Sequence, residues 1–348
     1  MHKKVYKKLK KTDPDITKII WNLIIESSNI LILSHKNPDG DALGSSLGLF
    51  HFLQLLNKKA RIIIPDAFPD FLKWLPGSGE INVFNKSENE CLEIMQEADL
   101  IICLDFNEYG RLGKMEQAIL NLKKPSVKID HHSGGGDKFD YCITDTKASS
   151  VAELVYKFIH TLNMENQIDI KAATCLYTGI MTDTGSFSYN SCGKDTFEIV
   201  SLLLNKEIDK EKIHEEVYDN FSSSRLKLLG YSINDKLTII KELNSAYISL
   251  SIEELKSFNH QVGDTEGFVN YPLSIKGINF SAIFIEKKKH IKASFRSKGD
   301  IAANSFSKKY FNGGGHKNAA GGQISMSLKD ALKYFEDSLF SFSKKMGI

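Results

Sequence analysis

Three short apolar runs constrain this chain more than anything else in it, because each stops abruptly at a carboxylate or an imidazole. Ile30-Leu31-Ile32-Leu33-Ser34 leads into His35-Lys36-Asn37-Pro38-Asp39-Gly40-Asp41. Leu100-Ile101-Ile102-Cys103-Leu104 leads into Asp105, and Ser126-Val127-Lys128-Ile129 leads into Asp130-His131-His132. Runs this short and this apolar read as buried strands, as in a parallel sheet covered by helices. In such sheets ligands sit beyond the carboxyl ends of the strands. Three strands that each deliver an acid or an imidazole to that edge predict one shared site, read as a metal cluster. Any one of these residues alone is an ordinary solvated loop acid; their coincidence is what carries the expectation.

The rest of the chain agrees with an α/β fold. Helical apolar spacing over 42–56, 90–98, 115–122, 149–162 and 170–181 alternates with the strand runs and with a further strand at 60–65. That alternation predicts a doubly wound parallel sheet over residues 12–205. A charged, serine-containing stretch, 206–235, reads as a largely helical connector. From residue 236 to 348 the texture changes to alternating strands at 245–250, 280–285 and 290–295. A helix at 302–310, the Gly313-Gly314-Gly315 loop and a last helix over 328–342 follow, which predicts a smaller mixed α+β domain. A chain of 348 residues exceeds what one core usually serves, so two domains are expected on length as well.

The net charge of +2 argues against a protein that coats long nucleic acid, but its distribution is uneven. From Lys236 onward the balance is +7, and before it −5. An acidic first part suits cations and a basic second part suits phosphate. None of the five cysteines (Cys91, Cys103, Cys142, Cys175 and Cys192) forms a C-x-x-C pair, as expected in the reducing cytoplasm. The N-terminal region is basic, but its apolar stretch, 16–25, contains Lys18, Trp21 and Asn22 and follows Asp13-Pro14-Asp15. An N-cap with proline at the first helical position predicts an amphipathic helix, not a signal peptide. No apolar run reaches the length that spans a membrane.

The candidate ligands are His35, Asp39, Asp41, Asp105, His131 and Asp183, the last within Thr182-Asp183-Thr184-Gly185. Asp39 and Asp41 leave the strand as alternate residues and can serve different ions. Asp105 can bridge two ions with its two oxygens. His132 can contact a bound anion or orient a neighbour, and Gly44 and Ser45 open a helix whose N-terminus favours an anion. Four carboxylates and two imidazoles without a thiolate suit Mn²⁺ or Mg²⁺ better than a structural zinc. Two such ions roughly 3.5–4 Å apart are a common arrangement for phosphoester hydrolysis. In the second domain, Lys292, Ser294 and Arg296 share one strand face, and Arg296 can fork onto a phosphate. Gly313, Gly314 and Gly315, followed by His316, read as an anion-binding nest of backbone amides.

These motifs resemble those of the DHH phosphoesterase superfamily. The resemblance rests on His35-Asp39-Asp41, Asp105, Asp130-His131-His132 and Asp183, and the Gly313–Gly321 stretch with Ser294-Phe295-Arg296-Ser297 resembles its DHHA1 partner domain. It covers residues 15 to 345 and is similar in size and motif order to the two-domain nanoRNase/pAp phosphatase branch. The resemblance implies an Mn²⁺-dependent hydrolase with two ions, Mg²⁺ being the alternative. Its substrates would be very short RNA oligonucleotides and nucleotide bisphosphates, 3′-phosphoadenosine 5′-phosphate (pAp) above all. It implies His35, Asp39 and Asp105 on one ion, and Asp41, Asp105, His131 and Asp183 on the other. Asp105, Asp41 and His132 would be the catalytic groups, with His132 near the scissile phosphate. Asp130 would orient His131 or the loop, and Arg296 and His316 would bind the substrate's phosphate. A dinucleotide phosphodiesterase, a RecJ-like exonuclease and a non-catalytic nucleotide sensor stay open as alternatives. So does the oligomeric state, with which a homodimer is compatible.

Overall fold

The computed structural model describes residues 12–134, 138–189 and 191–346, so the basic stretch Met1–Lys11 lies outside the described residues. The chain divides into two compact units, Met1–Asn220 and Phe221–Ile348.

The first unit alternates helix and strand. Its elements are α1 (Pro14–Glu26), β1 (Asn29–Leu33), α2 (Gly40–Leu55), β2 (Lys59–Ile64), β3 (Ile81–Val83), α3 (Glu88–Glu97) and β4 (Leu100–Leu104). They continue with α4 (Glu116–Leu122), β5 (Ser126–Asp130), β6 (Tyr141–Thr144), α5 (Val151–Thr161), α6 (Ile170–Asp183), α7 (Lys194–Leu204) and α8 (Lys210–His214). The six strands form a parallel sheet in the order β3-β2-β1-β4-β5-β6. Ile30 and Ile32 of β1 enter one core, with α2, α5 and α6, while Leu31 and Leu33 enter the other, with α3 and α4. Burial on both faces explains why these strands read as unbroken apolar runs. The strand order reverses between β1 and β4. The crevice at that switch point is where such sheets hold ligands, and the apolar runs of both strands end there.

Two local features set the approach of helices to that edge. Asp39 caps α2, its Oδ1 accepting from the amides of Asp41 and Ala42, both at 3.1 Å. Then α2 crosses α6 at backbone contact. A Cβ on Gly44 would lie 2.6 Å from both the Cys175 carbonyl oxygen and the Gly179 amide nitrogen, and one on Gly179 would lie 2.7 Å from the Ala152 methyl. Only glycine allows this crossing, which brings the start of α2 to the end of α6.

The expected connector is helical, and its halves belong to different units: α8 and a π-helical turn at Glu215–Asp219 to the first, and α9 (Ser223–Asn234) to the second. The second unit then contains β7 (Leu237–Ile240), β8 (Ser245–Leu250), α10 (Ile252–Ser257), β9 (Phe280–Glu286) and β10 (Ile291–Ser297). It closes with α11 (Ala303–Tyr310), β11 (Gly314–His316), β12 (Ala319–Ile324) and α12 (Leu328–Met346). Its mixed sheet has the order β11-β12-β10-β9-β8-β7, with β8 and β9 parallel and the other pairs antiparallel. One face is sealed by an aromatic core in which Phe284 and Phe335 lie 4.9 Å apart and Phe295 and Phe311 5.0 Å apart. Each such fully buried ring contributes about 1.5–3 kcal/mol. Leu228 of α9, Leu255 of α10 and Phe268 cover part of the other face.

The triple glycine differs from the expected loop. Gly314 and Gly315 pair with β12 as the edge strand of the sheet. Added Cβ atoms would stand 2.0 Å from the Gly321 carbonyl oxygen at Gly313 and 2.5 Å from that of Ala319 at Gly315, whose φ is +133°. The glycines therefore serve tight pairing of the chain with its neighbour, a role that sequence cannot tell from loop flexibility.

Candidate metal centre

The six candidate ligands of the first unit come together at the switch point. His35 follows β1, and its Nδ1–H donates to the Lys36 carbonyl at 2.8 Å, leaving Nε2 facing Asp105 Oδ2 at 3.2 Å and Asp39 Oδ1 at 4.0 Å. His131 follows β5, and its Nδ1–H donates to the Ala148 carbonyl at 3.1 Å. Its Nε2 faces Asp183 Oδ2 at 3.6 Å, Asp105 Oδ1 at 3.7 Å and Asp41 Oδ2 at 4.0 Å. Ligand atoms of His35, Asp39 and Asp105 thus lie within 4.8 Å of one another, as do those of Asp41, His131 and Asp183.

Asp105 stands between the two groups. It is buried, and its φ of +67° is a left-handed conformation that costs a non-glycine residue on the order of 1 kcal/mol or more. Its Oδ1 is buried without a hydrogen-bond partner. Ser34, whose hydroxyl donates to the Leu104 carbonyl at 2.9 Å, joins the ends of β1 and β4 beside it.

Asp41 is fixed from a distance in sequence. Both its oxygens accept amides of the first turn of α5, from Val151 at 2.6 Å and Ala152 at 2.9 Å. Asp183 is the last residue of α6, at the negative end of the helix dipole.

The electrostatics follow from this crowding. Burial, then the charges of Asp105 and Asp183, hold Asp41 well above the usual carboxylate range, against the pull of the two amides. Burial, then Asp39 and Asp105, push Asp183 up to about 7 despite the two imidazoles. Burial also opposes the charge of Asp105, but the hydrogen bond from His35 and the charges of the three imidazoles outweigh it and hold Asp105 low. His35 is raised, since Asp105 outweighs its burial.

The donor set fits divalent cations. The bonds to backbone carbonyls fix the proton of each neutral imidazole on Nδ1, as outer partners of metal-bound histidines do. His35 Nε2 gives its proton to the bond with Asp105 here; a neutral ring would instead leave an Nε2 lone pair for a cation in either group. Imidazole nitrogens and anions gathered in a buried space suit a positive charge between them, and Asp105 turns Oδ2 toward His35 and Oδ1, which has no hydrogen-bond partner, toward His131.

His132 departs from the ligand pattern. Its Nδ1–H donates to Asp130 Oδ1 at 2.8 Å, and Asp105 Oδ1 is 3.6 Å away. Burial disfavours its charge, but the bond to Asp130 and the charge of Asp105 outweigh this, and its pKa is pushed up to about 9. Asp130, expected to orient His131 or the loop, is therefore the partner of His132, and the Ala148 carbonyl orients His131. The side chains alternate as β5 ends, so residues 130 and 132 share a side. Arg111, which sequence reasoning passed over, lies near enough to disfavour protons on both His35 and His132. Its backbone carbonyl also accepts the Lys36 amide at 2.8 Å. It sits in a short 3₁₀ segment, Tyr109–Met115, without any motif to mark it.

In the second unit, Arg296, Ala319 and His316 form one row across three strands, and Ser294, Gly321 and Gly314 form the next. Arg296 and His316 thus share a sheet face with the small Ala319 between them.

A family model described as "DHH family, N-terminal domain" matches residues 29–180, and one described as "DHHA1 domain" matches 244–340. A protein from Streptococcus mutans named "Probable bifunctional oligoribonuclease and PAP phosphatase NrnA" is 32% identical over 316 residues, covering 87% of this chain and 95% of that one. The Bacillus subtilis protein named "Bifunctional oligoribonuclease and PAP phosphatase NrnA" is 27% identical, covering 85% of this chain and 89% of its own length. Among solved structures, an "exopolyphosphatase-related protein" from Bacteroides fragilis superposes with a TM-score of 0.92 at 40% identity, covering 97% of this chain and 99% of the other.

Proposed function

Because the chain belongs to the DHH family and carries a DHHA1 domain after the DHH domain, we propose that it is a two-metal phosphoesterase. It hydrolyses very short oligoribonucleotides to mononucleotides and pAp to AMP. The reading takes its substrates from the names of the Streptococcus mutans and Bacillus subtilis relatives. The observation that carries the chemistry is the buried, partnerless Oδ1 of Asp105 between two three-ligand groups.

In this reading His35, Asp39 and Asp105 would hold one Mn²⁺, with Mg²⁺ as the alternative, and Asp41, Asp105, His131 and Asp183 would hold the other. When bound, such a pair supplies Lewis-acid stabilisation of phosphoryl charge and a more acidic water nucleophile. The chain's own groups do the rest. The α5 amides keep Asp41 from rotating away. Asp130 holds the His132 ring by Nδ1, so that Nε2 donates to a phosphoryl oxygen. Arg296, Ser294, His316 and the exposed backbone of Gly314 and Gly315 grip a phosphate of the substrate, while the Gly313 amide is taken by the Ser307 carbonyl.

The test is a substrate panel with Mn²⁺: pAp, RNA of two to five nucleotides, linear and cyclic dinucleotides, and a single strand of about 24 nucleotides. The proposal expects the highest kcat/KM on the shortest RNAs, with release of phosphate from pAp. Rates that rise with strand length would replace it with an exonuclease of long strands, and a preference for dinucleotides with inert pAp would make the chain a dinucleotide phosphodiesterase.

A further inference from the structure

The polar face of β10 does not end at the phosphate grip. Ile291, Ala293 and Phe295 enter the aromatic core, so Lys292, Ser294 and Arg296 line the opposite face. Ile283 and Ile285 of β9 lie on that same face, and Lys292 pairs with Ile285. Lys287 continues the β9 series just past the strand, where its amide donates to the His290 carbonyl at 2.9 Å and closes the hairpin.

Lys287 and Lys292, both exposed, therefore meet on one face, and His260 lies near enough to feel both charges. The groups repel each other: burial and then Lys292 lower the Lys287 pKa, while burial, Lys287 and Lys292 lower that of His260. Asp264 opposes them at His260, and its Oδ2 also accepts the Gln261 amide at 2.7 Å. The cationic groups thus sit close enough to oppose one another's charge.

The cluster lies in line with the grip. Lys292 and Arg296 are four steps apart along the strand, a span of about 13 Å. The floor beside this span is low: an added Cβ on Gly314 meets nothing within 4 Å, and one on Gly321 meets its nearest atom at 3.6 Å. Cations in a row beside an open backbone floor match a chain of phosphates in series better than one phosphate.

We propose that Lys287, Lys292 and His260 form the far end of a phosphate track on the β10 face. The track holds the nucleotides of an oligoribonucleotide beyond the one whose phosphate Arg296 and His316 grip. The proposal rests on the phosphoesterase reading for its substrate.

The test compares wild type with the double variant Lys287→Ala/Lys292→Ala. The control is Lys308→Ala/Lys309→Ala, which removes the same charge from α11. The ratio of kcat/KM for an RNA pentamer to that for pAp is expected to fall roughly tenfold in the track variant, as two exposed charge contacts imply, and to hold in the control. A phosphorothioate pentamer that resists hydrolysis reads binding separately. Its log Kd against log salt should lose about 1.4 in slope, two single-strand contacts' worth. An unchanged ratio and slope overturn the track, and so does an equal effect in the control. Lysine-dependent binding of inorganic polyphosphate without lysine-dependent binding of the pentamer overturns it in favour of polyphosphate. If wild type binds the pentamer through these lysines yet hydrolyses none of the panel, the track stands and the phosphoesterase reading fails.

Discussion

His35, Asp105 and His131 leave the ends of three parallel strands, whereas Lys292, Ser294 and Arg296 lie along the side of one antiparallel strand. Strand ends at a switch point converge, so their groups crowd into one buried spot. There Asp41 and Asp183 are forced up while Asp105 is held down. Groups along a strand recur every second residue, about 6.6 Å apart, and stay nearer to solvent. Convergence suits small, highly charged ions, and alignment suits an extended anion. The same principle separates the energetics, because a charge in a buried, crowded site acts with little screening and an exposed one is weakened by salt.

Asp105→Asn tests the convergent site most severely. It removes the shared charge between the two ligand groups while keeping shape, and kcat is expected to fall by about three decades, the upper range for one essential electrostatic group. Steady-state rates with saturating Mn²⁺ measure it, and a kcat within tenfold of wild type would take Asp105 out of the centre.

Arg296→Ala addresses the aligned face. A charge-assisted phosphate contact contributes about 1.5–3 kcal/mol, so kcat/KM should drop roughly 10- to 150-fold with metal content intact. The combined Arg296→Ala/His316→Ala variant should lose less than the product of the single effects if both residues hold one phosphate. Strict additivity would separate them.

Gly44→Ala probes the support beneath the centre. A methyl group 2.6 Å from backbone atoms of α6 must push the helices apart, with an expected destabilisation of about 1–3 kcal/mol by denaturant unfolding. Because the same crossing sets Asp41 against Asp183, Mn²⁺ affinity measured by calorimetry should weaken as well. Unaltered stability and affinity together would show that the crossing has slack.

The parts of the centre visible in sequence share one property: a reactive side chain follows directly on an apolar run. His35, Asp105 and His131 qualify, and period-two alternation equally exposed the Lys292–Arg296 face. The supports did not show. The Ala148 carbonyl and the Val151 and Ala152 amides are backbone atoms, which every residue has. Gly313 to Gly315 pointed to a loop because glycine serves loops and crowded sheet edges alike.

Local order along the chain was enough to determine the alternation of strand and helix, the change of texture after the first sheet, and which side chains carry the chemistry. Hydrophobic periodicity and ligand type are properties of neighbouring residues. Pairing of groups far apart in the chain was decided by tertiary structure alone: Asp41 with the start of α5, 110 residues away, His131 with Ala148, and Gly44 with Gly179. Those contacts arise from how helices pack against the sheet and each other, and a backbone donor or an absent Cβ leaves no mark in sequence until another part of the chain comes against it.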